Sequence, residues 1–228
     1  MRAAAVVGGV LAASAGARAD PEILDRPIRF DAERIELSKD YLRQHYGLQV
    51  EDLRIVPKAV VIHWTGTARL EPVWRGFNRV RLRAARRYLV RGGHLNVSAH
   101  FLVDRDGTIY RLMPETWMAR HCIGLNYDAI GIENVGGVPG APLTREQLDA
   151  NAALLAQLVR RHPIRYLLGH FEWRRFEGAP FFRERDPTYR NAKADPGPEF
   201  MRQLRRQVAH LGLRGRYAPT DDSAPVAR

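Results

Sequence analysis

Short apolar strands alternating with helices leave this chain few architectures. Ala59-Val60-Val61-Ile62-His63 is a continuous apolar run rich in β-branched residues and reads as a buried strand. Residues 97–103 and 108–112 read as two strands around Asp104-Arg105-Asp106-Gly107, whose Asp-Gly pair signals a hairpin. Residues 129–135 and 165–169 read as two more strands. Between them, 144–162 is the clearest helix. Thr144 and Gln147 have capping-box spacing, Leu148, Ala152, Leu155 and Val159 keep the helical period, and Pro163 follows the end. Residues 81–91 have helical character up to Gly92-Gly93, and a last helix is expected from about Pro198 to Leu211. Residues 20–51 are polar, with a short helix opening near Ser38. Strands and helices interleaved about a hairpin predict an α/β fold, a single domain with a central mixed β-sheet flanked by helices.

At 228 residues, 45% of them hydrophobic, the chain can bury a sizeable core, which excludes global disorder. The single cysteine, Cys122, excludes an internal disulfide and a four-cysteine zinc site. Lysine and arginine number 36 against 25 aspartates and glutamates, a net charge of +11. Such a balance suits nucleic acid, an anionic surface or an acidic polymer. The arginine clusters at 81–87, 160–161, 174–175 and 202–206 read as solvated surface, and no nucleic-acid-binding signature accompanies them. Residues 1–19 carry an early Arg2, an apolar stretch and Ala17-Arg18-Ala19, the outline of a secretory signal peptide. The expected organisation is a signal peptide at 1–19, an N-terminal extension at 20–52, the folded domain at 53–212 and a flexible tail at 213–228. A soluble, exported (periplasmic or secreted) monomer follows as the expectation, with no transmembrane segment and no nucleic-acid partner.

Two histidines share a placement. His63 and His170 each follow the C-terminal end of a short apolar strand. If those strands are parallel, both imidazoles meet at the sheet edge where open α/β sheets put ligands. Each alone is more often a hydrogen-bonded structural residue. Asp195, in the turn before the last helix, is either a turn or capping residue or a third donor. Two imidazoles and a carboxylate would leave a zinc ion with an open fourth position, as catalytic sites require. Strand alternation puts Ile130 and Ile132 on one face and Gly131 with Glu133 on the other. Glu133 is either a solvent-facing carboxylate or one paired with a cation such as zinc or Lys193.

The order of Val61-Ile62-His63-Trp64-Thr65, Ser98-Ala99-His100-Phe101-Leu102, Asp106-Gly107-Thr108-Ile109-Tyr110, Ala119-Arg120-His121, Gly124-Leu125-Asn126, Ile130-Gly131-Ile132-Glu133, Gly169-His170 and Lys193-Ala194-Asp195-Pro196-Gly197-Pro198 resembles zinc-dependent N-acetylmuramoyl-L-alanine amidases. The subgroup is the one related to peptidoglycan recognition proteins and phage T7 lysozyme. The resemblance spans about residues 56–200 and is nearest the bacterial branch with glutamate on the strand and Lys-x-Asp before the final helix. It implies one zinc ion on His63, His170 and Asp195, and Glu133 and Lys193 as catalytic groups. It also implies hydrolysis of the amide between N-acetylmuramic acid and L-alanine in peptidoglycan or muropeptides. The other reading on the same fold is a peptidoglycan-binding protein without hydrolysis. His100, His121 and Asn126 are candidate substrate-binding residues, with Asn126 also a turn former. Two departures stand out. Ala99 replaces a tyrosine of the phage and recognition-protein branch, and residues 171–192 make a long aromatic insertion suited to a lid or a groove wall.

Overall fold

β2 (Ala59–Trp64) is buried at every residue from Ala59 to His63, so it must be covered on both faces and paired along both edges. In the computed structural model, which describes residues 20–220, it has both. β5 (Ala129–Asn134) pairs with it in parallel on one side and β6 (Tyr166–Gly169) on the other. Beyond β5 lies β3 (Phe101–Val103), also parallel. β3 forms the expected antiparallel hairpin with β4 (Ile109–Arg111). β1 (Ile23–Asp25) adds a parallel outer strand against β4, giving the order β1-β4-β3-β5-β2-β6. The sheet is therefore mixed, in one domain, as the strand pattern requires.

Helices α4 (Arg145–Arg161) and α5 (Pro198–Gln207) cover one face. α4 opens on the capping box that its sequence announces: Gln147 N–H donates to Thr144 Oγ1 and Thr144 N–H to Gln147 Oε1. Leu154, Leu155, Leu158, Met201 and Leu204 pack there on Val60, Ile62, Ile130, Ile132 and Leu167. On the opposite face, Val61, Ala129, Tyr166 and Leu168 are covered by Leu125 and by Trp173, Phe176, Phe181 and Tyr189. The aromatic insertion is thus a packed wall; Trp173 is 1% exposed and Phe176 0%.

Four segments differ from the sequence expectation. Helix α2 (Leu70–Asn78) has no counterpart in it: Leu70, Val73, Trp74 and Phe77 keep the helical period and pack on one cluster, but Pro72 and Gly76 interrupt a run of only nine residues. The expected helix at 81–91 contracts to α3 (Arg87–Val90), because Arg81 bridges to Leu95 and the Leu82 N–H donates to the His94 carbonyl, so that backbone is already spent. Residues 20–52 form part of the packed structure. α1 (Ala32–Tyr41) starts on Asp31 and ends in a turn of π-helix, and Tyr41, Leu42 and Tyr46 join a core with Leu53, Ile55 and Met118. Arg34 in α1, 1% exposed, donates to the carbonyls of Arg29, Phe77 and Arg79 and so straps α2 to the N-terminal segment. Past residue 212 the chain still pairs with β6: Arg214 N–H donates to Arg165 O and Leu167 N–H to Arg214 O. The expected signal peptide and the last eight tail positions, 221–228, lie outside the described residues. No helix among the described residues is long and apolar enough to cross a membrane.

Leu155 is fully buried between α4 and the sheet. Leu155→Ala should cost about 2–5 kcal/mol of unfolding free energy, read by urea titration, with the denaturant slope unchanged.

Candidate active site

Register brings the chemistry together. His63 on β2 lies directly opposite Glu133 on β5, and Ile62 opposite Gly169 on β6, so His170 leaves the sheet one residue on, at the same carboxyl edge. Alternation turns Val60, Ile62, Ile130 and Ile132 toward the helices, which sends His63 and Glu133 to the other face. Asp195 arrives from the loop before α5; its carbonyl accepts the N–H of Phe171 at 2.9 Å, which ties that loop to the end of β6.

Three donor atoms converge. The Nδ1 atoms of His63 and His170 lie 3.0 Å apart, and Asp195 Oδ2 sits 2.9 Å from His170 Nδ1 and 3.2 Å from His63 Nδ1. Among the described residues this is the one group of three or more histidine, cysteine or acidic side chains spaced to hold a metal ion. Both histidines are buried, and Asp195 is nearly so. Burial, then the neighbouring His63, pushes His170 down to about 3, so its imidazole is neutral at physiological pH. Burial alone would raise the Asp195 carboxyl, but the close approach of His170, then of His63, outweighs it and holds the pKa far below the usual carboxylate range. A neutral imidazole and an ionised carboxylate are the forms that bind a divalent cation. The donor set thus fits zinc.

The three atoms open onto a cleft of about 710 Å³, which Glu133, Lys193, Trp64, Arg86 and Asn191 also line. Glu133 Oε2 is shut away from water and has no hydrogen-bond partner. Burial, then the negative charge of Asp195, raises its pKa well above 4.5, while Lys193 and Arg86 act in the opposite sense. Lys193 has no ion-pair partner among the described residues. Arg86 belongs to the arginine cluster that reads in the sequence as solvated surface. It is exposed, as that reading expects, and its charge acts on Glu133 only at a distance.

Of the other sequence candidates, His121 and Asn126 border the cleft and His100 does not. His100 is fully buried; its Nε2 donates to the Trp117 carbonyl at 2.7 Å and its Nδ1 accepts the Gly131 N–H at 3.0 Å. Burial pushes it down to about 4. With both nitrogens taken by backbone, it is not free for substrate. Asn126 is 1% exposed; its Oδ1 accepts the N–H groups of His121 and Cys122, and its side-chain amide donates to the Tyr41 hydroxyl. It shapes the turn, the alternative its sequence context offered. His121 does reach the cleft, but its Nδ1 lies 3.1 Å from His63 Nε2 and its Nε2 3.3 Å from the Ala129 carbonyl. Its ring lies over Gly131, where an added Cβ would come within 2.7 Å of it. The space beside Glu133 that a glycine promises is therefore filled by an imidazole. Ala99 is fully buried against Leu102 and Leu112, away from the cleft lining. Cys122 is a buried core thiol that burial drives upward in pKa.

Residues 53–198 match the family Amidase_2, N-acetylmuramoyl-L-alanine amidase. That span exceeds half the chain, and the chain belongs to this family. It is by that membership an amidase of the N-acetylmuramoyl-L-alanine class. The endolysin of Enterobacteria phage T3 is 27% identical over 124 residues, covering 52% of this chain and 78% of the phage protein. The endolysin of Escherichia phage T7 is 28% identical over 119 residues, covering 50% and 74%. Among solved structures, the amidase LysC of Clostridium intestinale URNW aligns with TM-score 0.50 at 19% identity, over 85% of this chain and 99% of that one. Bumblebee PGRP-SA aligns with TM-score 0.51 at 21% identity, over 81% and 94%. At those identities the two structures speak for the fold.

A raised Glu133 pKa means the folded chain keeps that proton where the unfolded chain has lost it. The associated stability is complete below the ordinary value of 4.5 and is lost as pH rises through the raised pKa. Glu133→Gln carries no such loss. Held metal-free with chelator, this variant should melt above the wild type at neutral pH, by about 2–4 °C if ~1 kcal/mol is recovered. The gap should close in acid, below pH 4.5; melting curves across pH check it.

Proposed function

We propose that this chain hydrolyses the amide between N-acetylmuramic acid and L-alanine in peptidoglycan or its muropeptide fragments, with one zinc ion held by His63, His170 and Asp195. The observation that carries the reading is the meeting of three metal-binding atoms beside an unpartnered glutamate on one cleft wall. The family supports the bond class, and the phage relatives' printed names support action on cell wall.

What zinc supplies when bound is Lewis acidity toward a carbonyl oxygen and acidification of water. The chain's own groups do the rest. Glu133, as a carboxylate, takes a proton from the attacking water as the new C–O bond forms. It returns that proton to the departing L-alanine nitrogen as the C–N bond breaks. A carboxyl whose pKa lies above the ordinary range is suited to hold the proton between those two events. The Lys193 ammonium, half-buried in the cleft lining, stabilises negative charge developing on the carbonyl oxygen. Trp64 and the arginines of residues 75–86 form the outer cleft wall, a cationic surface that suits a carboxylate-bearing peptide polymer. The outline of an export signal at 1–19 and the location of the wall both favour action outside the cytoplasmic membrane.

Purified peptidoglycan carrying a releasable dye, incubated with and without chelator, tests the reading; mass spectrometry of the products identifies the bond. Glu133→Ala and Lys193→Ala should each retain zinc and lose about 10²–10³ in rate, or more for Glu133. His63→Ala should lose zinc and activity together. Wild-type digestion by Glu133→Ala, or full activity in chelator, would overturn the assignment, as would binding to the wall with no released product.

A further inference from the structure

We propose that His121 is a positioning residue that sets the tautomer of His63, a proposal that rests on the metal reading above. The contact runs through the ring nitrogen of His63 that faces away from the donor cluster. His63 Nε2 and His121 Nδ1 are 3.1 Å apart, with the rings perpendicular at 90°. One of the two must donate, and the far side of His121 decides which. Its Nε2 faces the Ala129 carbonyl at 3.3 Å, and a carbonyl only accepts. His121 Nε2 therefore carries the proton. A neutral imidazole has a single N–H, so His121 Nδ1 is an acceptor and His63 Nε2 is the donor. His63 is then left with a bare lone pair on Nδ1, the atom that faces His170 and Asp195.

Nothing else among the described residues is placed to choose this tautomer. The alternative, a proton on His63 Nδ1, would satisfy Asp195 Oδ2 directly at 3.2 Å and would block the atom that a metal needs. His121 removes that alternative without bringing a second charge to the site. The ring is itself held on three sides. Gly131 admits it, the His121 backbone N–H donates to Asn126 Oδ1 at 2.7 Å, and the Asn126 amide is fixed by the Tyr41 hydroxyl. Groups that fix a ligand histidine in this manner typically change metal affinity by about 10–100-fold when removed.

The direct test is the tautomer itself. A long-range proton–nitrogen correlation spectrum of isotope-labelled, metal-free full chain near neutral pH should show His63 and His121 both as Nε2–H forms. An Nδ1–H form at His121 would reverse the relay and overturn the proposal. Zinc affinity, measured by competition against a chromogenic chelator, supplies the second readout. His121→Leu should weaken zinc about 10–100-fold. His121→Asn, whose Oδ1 can accept where Nδ1 does, should recover most of that loss. Equal affinity in wild type and His121→Leu would overturn the proposal, and so would a folded His121→Asn that binds no better than His121→Leu. Should His121→Leu fail to fold, the wild-type spectrum decides alone. A wild-type chain that takes up no zinc sinks the metal reading, whereas normal zinc uptake with the wrong tautomer sinks only this inference.

Discussion

The site exists because β2 is paired in parallel on both sides. Parallel neighbours end at the same edge, so Glu133, His63 and His170 reach one rim even though 107 residues separate the two histidines. An antiparallel partner in either place would carry one of these side chains to the opposite end of the sheet. The burial of Val60 and Ile62 under α4 and α5 does the remaining work, since it pins the alternation and turns His63 and Glu133 toward the cleft.

Behind that rim the polar groups are organised in depth. His100 is fastened by backbone on both sides, Gly131 lends it an N–H, and the same glycine makes room for His121. His121 then stands between the sheet and His63. Each imidazole is buried, and each has partners except where the donor cluster and cleft begin. Beside this chain of rings Glu133 Oε2 is left buried without a hydrogen-bond partner. A protein keeps such an atom at a cost of about 1–3 kcal/mol, a cost that belongs with chemistry.

Much of this was legible in the residues. Alternating runs and the capping box announce the strands and α4, and the placement of His63 and His170 after apolar strands announces their meeting. What escaped is what depends on tertiary contact. Arg34, Tyr41 and Tyr46 look like polar extension residues, yet they pack into the domain because a guanidinium finds three carbonyls and two tyrosines find an asparagine turn. His121 reads as a groove residue because no local pattern shows that its acceptor nitrogen would be met by His63. Helix-period counting failed at 81–91, where bridging to Leu95 competes for the same backbone.

One main-chain hydrogen bond, from the Phe171 amide to the Asp195 carbonyl, joins the peptide after the second histidine to the peptide of the carboxylate. Two of three donors are thereby stapled through main chain rather than through whatever they grip, while the third is rooted mid-sheet. Small zinc domains must fold around their ion and collapse without it. Here the sheet and that main-chain bond hold the three donors in place, so on the proposed zinc reading the cradle would draw on the fold as well as on the ion.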